Sequence, residues 1–168
     1  MAIPLLYDVY ALCHERSLPL ANRFLGEWAP RREWSDAEIA VPMESDRLFY
    51  SAEAALASIV ASSASTQTLY WRSQRGDHVE HVMLGFSCDG QMIAGLSAWF
   101  DEPLRWPHER DPTVRGLTAL LAQLARSVEG RFGYVTFEEP PVQDGAFIAE
   151  CGRRELAMIE GVIVRSQK

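Results

Sequence analysis

Short apolar runs alternate along the chain with polar breaks marked by Gly or Pro, and their spacing predicts the elements one after another. Leu5 to Leu12 (LLYDVYAL) is aliphatic and aromatic and predicts a first strand. Ser17-Leu18-Pro19 is a helix-start signal, and Leu20, Phe24 and Trp28 recur at i, i+4, i+8, so a helix should run to about Trp28 and end before Pro30. Arg31 to Asp46 carries charge, Trp34 and Pro42 but no period, which predicts a long exposed connection and the foremost candidate for a binding loop. A short strand is expected over Arg47 to Tyr50. Ser51 then caps an Ala-rich helix, Ala52 to Ser62, with Ala55, Leu56, Ile59 and Val60 inward.

The next stretch predicts a meander. Thr68 to Ser73 (TLYWRS) is a strand, and Gln74 to His78 a polar turn around Gly76. Val79 to Cys88 and Gln91 to Phe100 are joined by Asp89-Gly90, the strongest hairpin signal present, because a type I′ turn needs positive φ at both central residues. A two-residue turn sets Phe86 opposite Ile93 and Leu84 opposite Gly95, with Val82 and Trp99 on the same face. Met83, Gly85, Ser87, Met92, Ala94, Leu96 and Ala98 then form a second face, small and mostly apolar. Asp101 to Arg110 (DEPLRWPHER) predicts a loop. Asp111-Pro112 opens a helix over Thr113 to Glu129 with Val114, Leu117, Leu120, Leu121, Leu124 and Val128 on one stripe, capped by Gly130. Phe132 to Phe137 predicts another strand, closed by Glu138-Glu139-Pro140-Pro141. A short helix is expected within Gly145 to Ala157 and a last strand over Leu156 to Val164, interrupted by Gly161. Together these elements predict an α+β fold, a mostly antiparallel sheet with two or three helices packed mainly on one face. No repeat or linker divides the chain, so residues 1–168 are expected to form a single globular domain.

Composition narrows the function classes. Sixteen Lys and Arg against 23 Asp and Glu leave a net charge of −7, and Lys168 is the one lysine. Acidity argues against nucleic-acid binding, which needs a cationic surface to displace condensed counterions. It suits a basic protein partner, and equally a bland soluble surface. Cys13, Cys88 and Cys151 are odd in number and widely spaced, which fits reduced thiols and a cytoplasmic location. The N-terminal run has no basic n-region and contains Asp8, and no stretch reaches the roughly 18 apolar residues of a membrane span, so no leader and no membrane association are expected.

Catalytic templates fail one by one. No GxGxxG or GxxxxGK[ST] is present. Gly95-Leu96-Ser97-Ala98-Trp99 approaches GxSxG but lacks its second glycine and lies within a predicted strand, not at a strand-to-helix elbow. Cys13 and His14 are adjacent in sequence, which is poor geometry for a thiolate and its base. His78 and His81 flank a turn, but no HxxxH or HExxH accompanies them, so solvated turn residues are expected and no metal or cofactor is assigned. The carboxylate pairs Glu44/Asp46, Asp101/Glu102 and Glu138/Glu139 are too close in sequence to act as a separated acid and base. Glu138-Glu139 before Pro-Pro is either a charged gatekeeper of a strand edge or part of a partner surface. Trp34 and Trp106, in charged loops, are either interface anchors or plugs at the edge of the core.

The phrases LYDVYAL, a helix ending NRFLGEW, TLYWRS, GFSCDGQMIAGLS and RFGYVTFEEPP, spread over residues 5–141, give the chain an element order that resembles small bacterial immunity proteins encoded beside secreted polymorphic toxins. The resemblance implies a cytoplasmic protein without enzymatic activity that neutralises a cognate toxin by binding it. It carries over no individual residue. On this expectation Trp34, Glu44, Asp46, Asp101, Glu102, Trp106, Glu138 and Glu139 engage a basic toxin. Two other expectations remain open: a small-molecule or enzymatic pocket beneath Gly85, Ser87 and Ala94 near the 80–100 hairpin, and a homodimer burying the apolar hairpin face.

Overall fold

The computed structural model describes residues 4–33, 52–62, 67–76, 78–87, 90–103, 110–130 and 132–137, together with strands at 156–159 and 162–166. The fold is α+β. Strands β1 (Leu5–Leu12), β2 (Thr68–Arg72), β3 (Val79–Phe86), β4 (Met92–Phe100), β5 (Phe132–Phe137), β6 (Leu156–Ile159) and β7 (Val162–Ser166) form one sheet in the order β2-β3-β4-β1-β5-β7-β6. Every neighbouring pair is antiparallel. Helices α1 (Leu18–Trp28), α2 (Ala52–Ala61) and α3 (Pro112–Ser127) pack on one face. Among the described residues no helix is long and apolar enough to cross a membrane.

Alternation along the strands divides the sheet's two faces. Tyr7, Val9 and Ala11 of β1, Leu69 and Trp71 of β2, Val82, Leu84 and Phe86 of β3 and Met92, Ala94, Leu96 and Ala98 of β4 join the helices in the hydrophobic core. Leu20, Ala21, Phe24, Leu25 and Trp28 are the buried stripe of α1, and Leu117, Leu121 and Leu124 that of α3. Caps fix where both helices begin. The Ser17 hydroxyl accepts from Leu20 N, and the Asp111 carboxylate accepts from Thr113 N at 2.9 Å and Val114 N at 3.2 Å. A Cβ at Gly116 would lie 2.5 Å from the Phe100 ring, so glycine is what lets α3 settle this closely onto β4.

Several expectations need correction. The β3–β4 register is one residue away from that expected: Phe86 faces Met92, Leu84 faces Ala94 and Met83 faces Gly95. The physical reason is the turn. Ser87 N–H donates to Gln91 O and Gly90 N–H to Ser87 O, so three residues rather than two separate the closing pair, with Gly90 left-handed at φ 75°. That shift exchanges the faces of β4. Val82 and Trp99 are therefore on opposite faces, and Gly85 and Ala94 line no common pocket. The apolar hairpin residues Met92, Ala94, Leu96 and Ala98 lie within the core, not on a surface open to a second copy. At the end of α3 the left-handed residue is Glu129, at φ 51°, rather than Gly130. Gly130 is needed for space, since its Cβ would stand 2.7 Å from Leu12 O. The interrupted last strand is two antiparallel strands, with Ile159 facing Val162. The strand expected at Arg47 to Tyr50, most of the 31–46 connection and the helix expected from Gly145 lie outside the described residues, apart from the latter's overlap with β6.

Candidate functional site

The described surface is most distinctive at the end of the sheet where β4 finishes. Asp101 and Glu102 are both exposed there, two and three residues after Trp99, whose side chain is 38% exposed. Its indole N–H donates to the carboxylate of Glu80, and its backbone N–H to His78 O at 3.0 Å. Glu80 reaches this position through a β-bulge. The pairing shifts between Val79 and His81, so that Val79 faces Ala98 while His81 faces Ser97. The extra residue lets Val79 and Val82 both enter the core despite their odd spacing, and it leaves Glu80 on the surface beside Trp99. Across β1 at the same sheet end, Phe137 is 46% exposed and packs edge-on against Tyr7 with ring centroids 5.5 Å apart. Glu138 and Glu139 follow it directly in sequence.

The face opposite the helices carries a row of polar residues across five strands. Arg72 faces His81, His81 faces Ser97, Ser97 faces Asp8, and Asp8 faces Thr136. Exposure falls along the row: Arg72 is open to solvent, whereas Ser97, Asp8 and Thr136 are buried. The Ser97 hydroxyl donates to Asp8 Oδ1. One register step away, Tyr70, Met83, Gly95, Tyr10 and Tyr134 face one another in turn. The Tyr10 ring lies over Gly95, where a Cβ would come within 2.6 Å of it, and stacks at a tilt on Tyr134 with centroids 5.1 Å apart. Burial, and then the negative charge of Asp8, push the Tyr70 phenol above its ordinary value.

This row has the residue types of a Ser–His–Asp relay without its order. Ser97 lies between His81 and Asp8 and gives its hydroxyl hydrogen to the carboxylate, while His81 Nε2 is 3.6 Å from Glu80 Oε1. A relay needs the imidazole between hydroxyl and carboxylate so that it can take the serine proton. Ser97 also sits in mid-strand and is only 4% exposed. Cys13 is no nucleophile either, because burial pushes its thiol up to about 12. Among the described residues no three His, Cys, Asp or Glu side chains are grouped to hold a metal ion. An open cleft of about 220 Å³ lies between the start of α1 and the end of α3, lined by Glu15, Pro19, Leu20, Arg23 and Glu129, but its cation Arg23 is already paired with Glu129 at 2.7 Å.

Of the residues expected to engage a partner, the structure brings Asp101 and Glu102 to an exposed position, two and three residues after Trp99. Trp34, Glu44, Asp46, Trp106, Glu138 and Glu139 lie outside the described residues. Trp99 and Glu80 were not anticipated, because the expected register turned Trp99 toward the same side as Val82 and a bulge leaves no periodic trace. Comparison with protein-family models, characterised proteins and solved structures finds no match.

Proposed function

We propose that the protein is a cytoplasmic inhibitor of the immunity type, which neutralises a cognate basic protein toxin by binding and covering it. The observation that carries this reading is the sheet end itself, where exposed Asp101 and Glu102 follow the exposed Trp99 by two and three residues on a chain of net charge −7. Aromatic anchors beside charges of one sign suit an electrostatically steered protein contact, in which rim charges set the rate of encounter and buried rings hold the complex. The immunity assignment within this binding class comes from the resemblance in element order. Cys13, a free buried thiol, suits a reducing compartment.

The test is capture of the partner from source lysate through a moderate-salt wash, followed by association kinetics with the purified partner. The expected result is one stoichiometric basic protein whose association slows roughly tenfold at low salt when Asp101→Lys and Glu102→Lys are combined, in keeping with steering by rim charges. An unchanged association rate removes this sheet end from the contact. Recovery of no protein, with a small ligand retained in native mass spectrometry, replaces the binding-protein reading with a small-molecule one.

A further inference from the structure

Resting on that reading, we propose that the indole of Trp99, held at its edge by Glu80 and followed in the chain by Asp101 and Glu102, is the seat for an arginine side chain of the protein partner. Three features converge on this chemistry. The ring is held by its edge: Glu80 accepts the indole N–H, so the polar handle of Trp99 is satisfied and what remains for a partner is π-face and apolar area. The bulge at Glu80 and the bond from Trp99 N–H to His78 O fix both residues' backbones side by side across the two strands. The charges nearest in sequence to the ring on its C-terminal side, Asp101 and Glu102, are exposed carboxylates. Arg72, on the same face, stands across β3 at the far side of His81.

The protein already contains the proposed arrangement in closed form. The Arg75 guanidinium lies 4.1 Å over the Trp28 ring while its Nη1 donates to the Glu27 carboxylate at 3.1 Å. Trp99 and Glu80 supply the same two pieces, an indole and a carboxylate, and among the described residues no cation lies over the Trp99 ring. Arginine fits better than lysine because its planar group stacks on the ring while its remaining N–H groups reach carboxylates at the side.

A hexa-arginine peptide is the probe, with hexa-citrulline as an uncharged control of nearly the same shape. Protein labelled with 15N at tryptophan is titrated at low salt, and the Trp99 indole resonance is identified by its loss in Trp99→Leu. The expected result is a saturable shift of that resonance with the arginine peptide and none with citrulline. Trp99→Leu, which keeps every carboxylate, should weaken the peptide about two- to fivefold, the range of an exposed cation–π contact. Trp99→Phe and Glu80→Gln should each fall between wild type and Trp99→Leu, and they carry the test if the leucine variant does not fold. A stationary Trp99 resonance, or equal affinity in wild type and the Trp99 variants, overturns the arginine seat. Capture of a protein partner equally well by wild type and Trp99→Leu overturns the seat and leaves the binding reading standing. A Trp99 that takes the peptide in a protein that captures no partner ends the binding reading while the seat remains.

Discussion

Arg16 offers the sharpest test of how the helical layer is held. It lies between β1 and α1, yet its guanidinium closes the end of α2: Nε donates to Val60 O at 3.1 Å, and Nη2 to the carbonyls of Ile59 and Ser62. Nη1 reaches Ser87 O at 3.2 Å, and the group sits 4.9 Å over the Phe86 ring. Helix α2 has ten residues and no basic residue of its own in its last turn; among the described residues the Ser62 N–H reaches Ser58 O and Ile59 O, and Arg16 brings the positive charge to its last carbonyls and negative dipole end. Arg16→Met keeps apolar length and removes the fork. Hydrogen bonds to charged groups are worth about 1.5–3 kcal/mol each, but four on one half-buried group are far from additive, and carbonyls at a helix end recover water. A net loss of roughly 2–4 kcal/mol follows, including about 0.3–1 kcal/mol of dipole interaction. For a chain of this size that corresponds to a fall in Tm of roughly 5–15 °C. Urea unfolding should show a lower midpoint at an unchanged slope, with Arg16→Lys recovering only part of the loss because a single ammonium cannot serve carbonyls from α2 and Ser87 together. If Arg16→Met stays within about 0.5 kcal/mol of wild type, or Arg16→Lys equals it, the guanidinium does not hold this junction.

Three further outcomes follow from the buried groups. Gly95→Ala forces a Cβ to within 2.6 Å of the Tyr10 ring and should cost about 1–3 kcal/mol in thermal or urea unfolding; a neutral substitution would mean that the tyrosine row yields freely. Ser97→Ala removes a donor from the buried Asp8 carboxylate and should cost about 1–3 kcal/mol, with Ser97→Thr closer to wild type; equal stability of the alanine variant would show that the hydroxyl is dispensable. Cys13, raised from 9.0 to about 12, stays a neutral thiol in the folded chain while the unfolded chain ionises, so its contribution is intact below about pH 9 and is lost as pH rises toward 12. Unfolding midpoints followed across that range should fall less steeply in Cys13→Val than in wild type, and parallel curves would refute the assignment.

Periodic elements were legible because burial imposes a period on them. The α1 stripe of Leu20, Phe24 and Trp28 and the α3 stripe through Leu117, Leu121 and Leu124 follow from one apolar face meeting the sheet, and the caps at Ser17 and Asp111 follow from unpaired N–H groups at helix starts. Strand order was not legible, since chain order says little about lateral order in an antiparallel sheet. The first strand is flanked by β4 and β5, and its nearly continuous apolar run is what a strand buried on both faces requires. Asp89-Gly90 marks where the hairpin turns but does not set its register. Asp-Gly serves a two-residue turn, and it serves equally a three-residue loop with the glycine left-handed, as Gly90 is.

The candidate site turns on that single residue. Moving the β3–β4 pairing by one exchanges the faces of β4, sending Ala94, Leu96 and Ala98 to the helices and Gly95, Ser97 and Trp99 to the other side. The bulge at Glu80 then repairs the parity of β3 so that Val79 still reaches the core. Asp101 and Glu102 were legible as exposed carboxylates after a strand, because charge at a strand end needs no register to be solvent-facing. Trp99 was not, because its exposure depends on the turn and its orientation on a bulge, and neither alters the apolar pattern of the strand. The β1–β4 pairing sets Asp8 opposite Ser97, and the pair is buried on the face away from the helices. A carboxylate within an apolar run was visible in the sequence, but only the register supplies its hydroxyl, so that partner belongs to pairing between distant strands and not to any local motif.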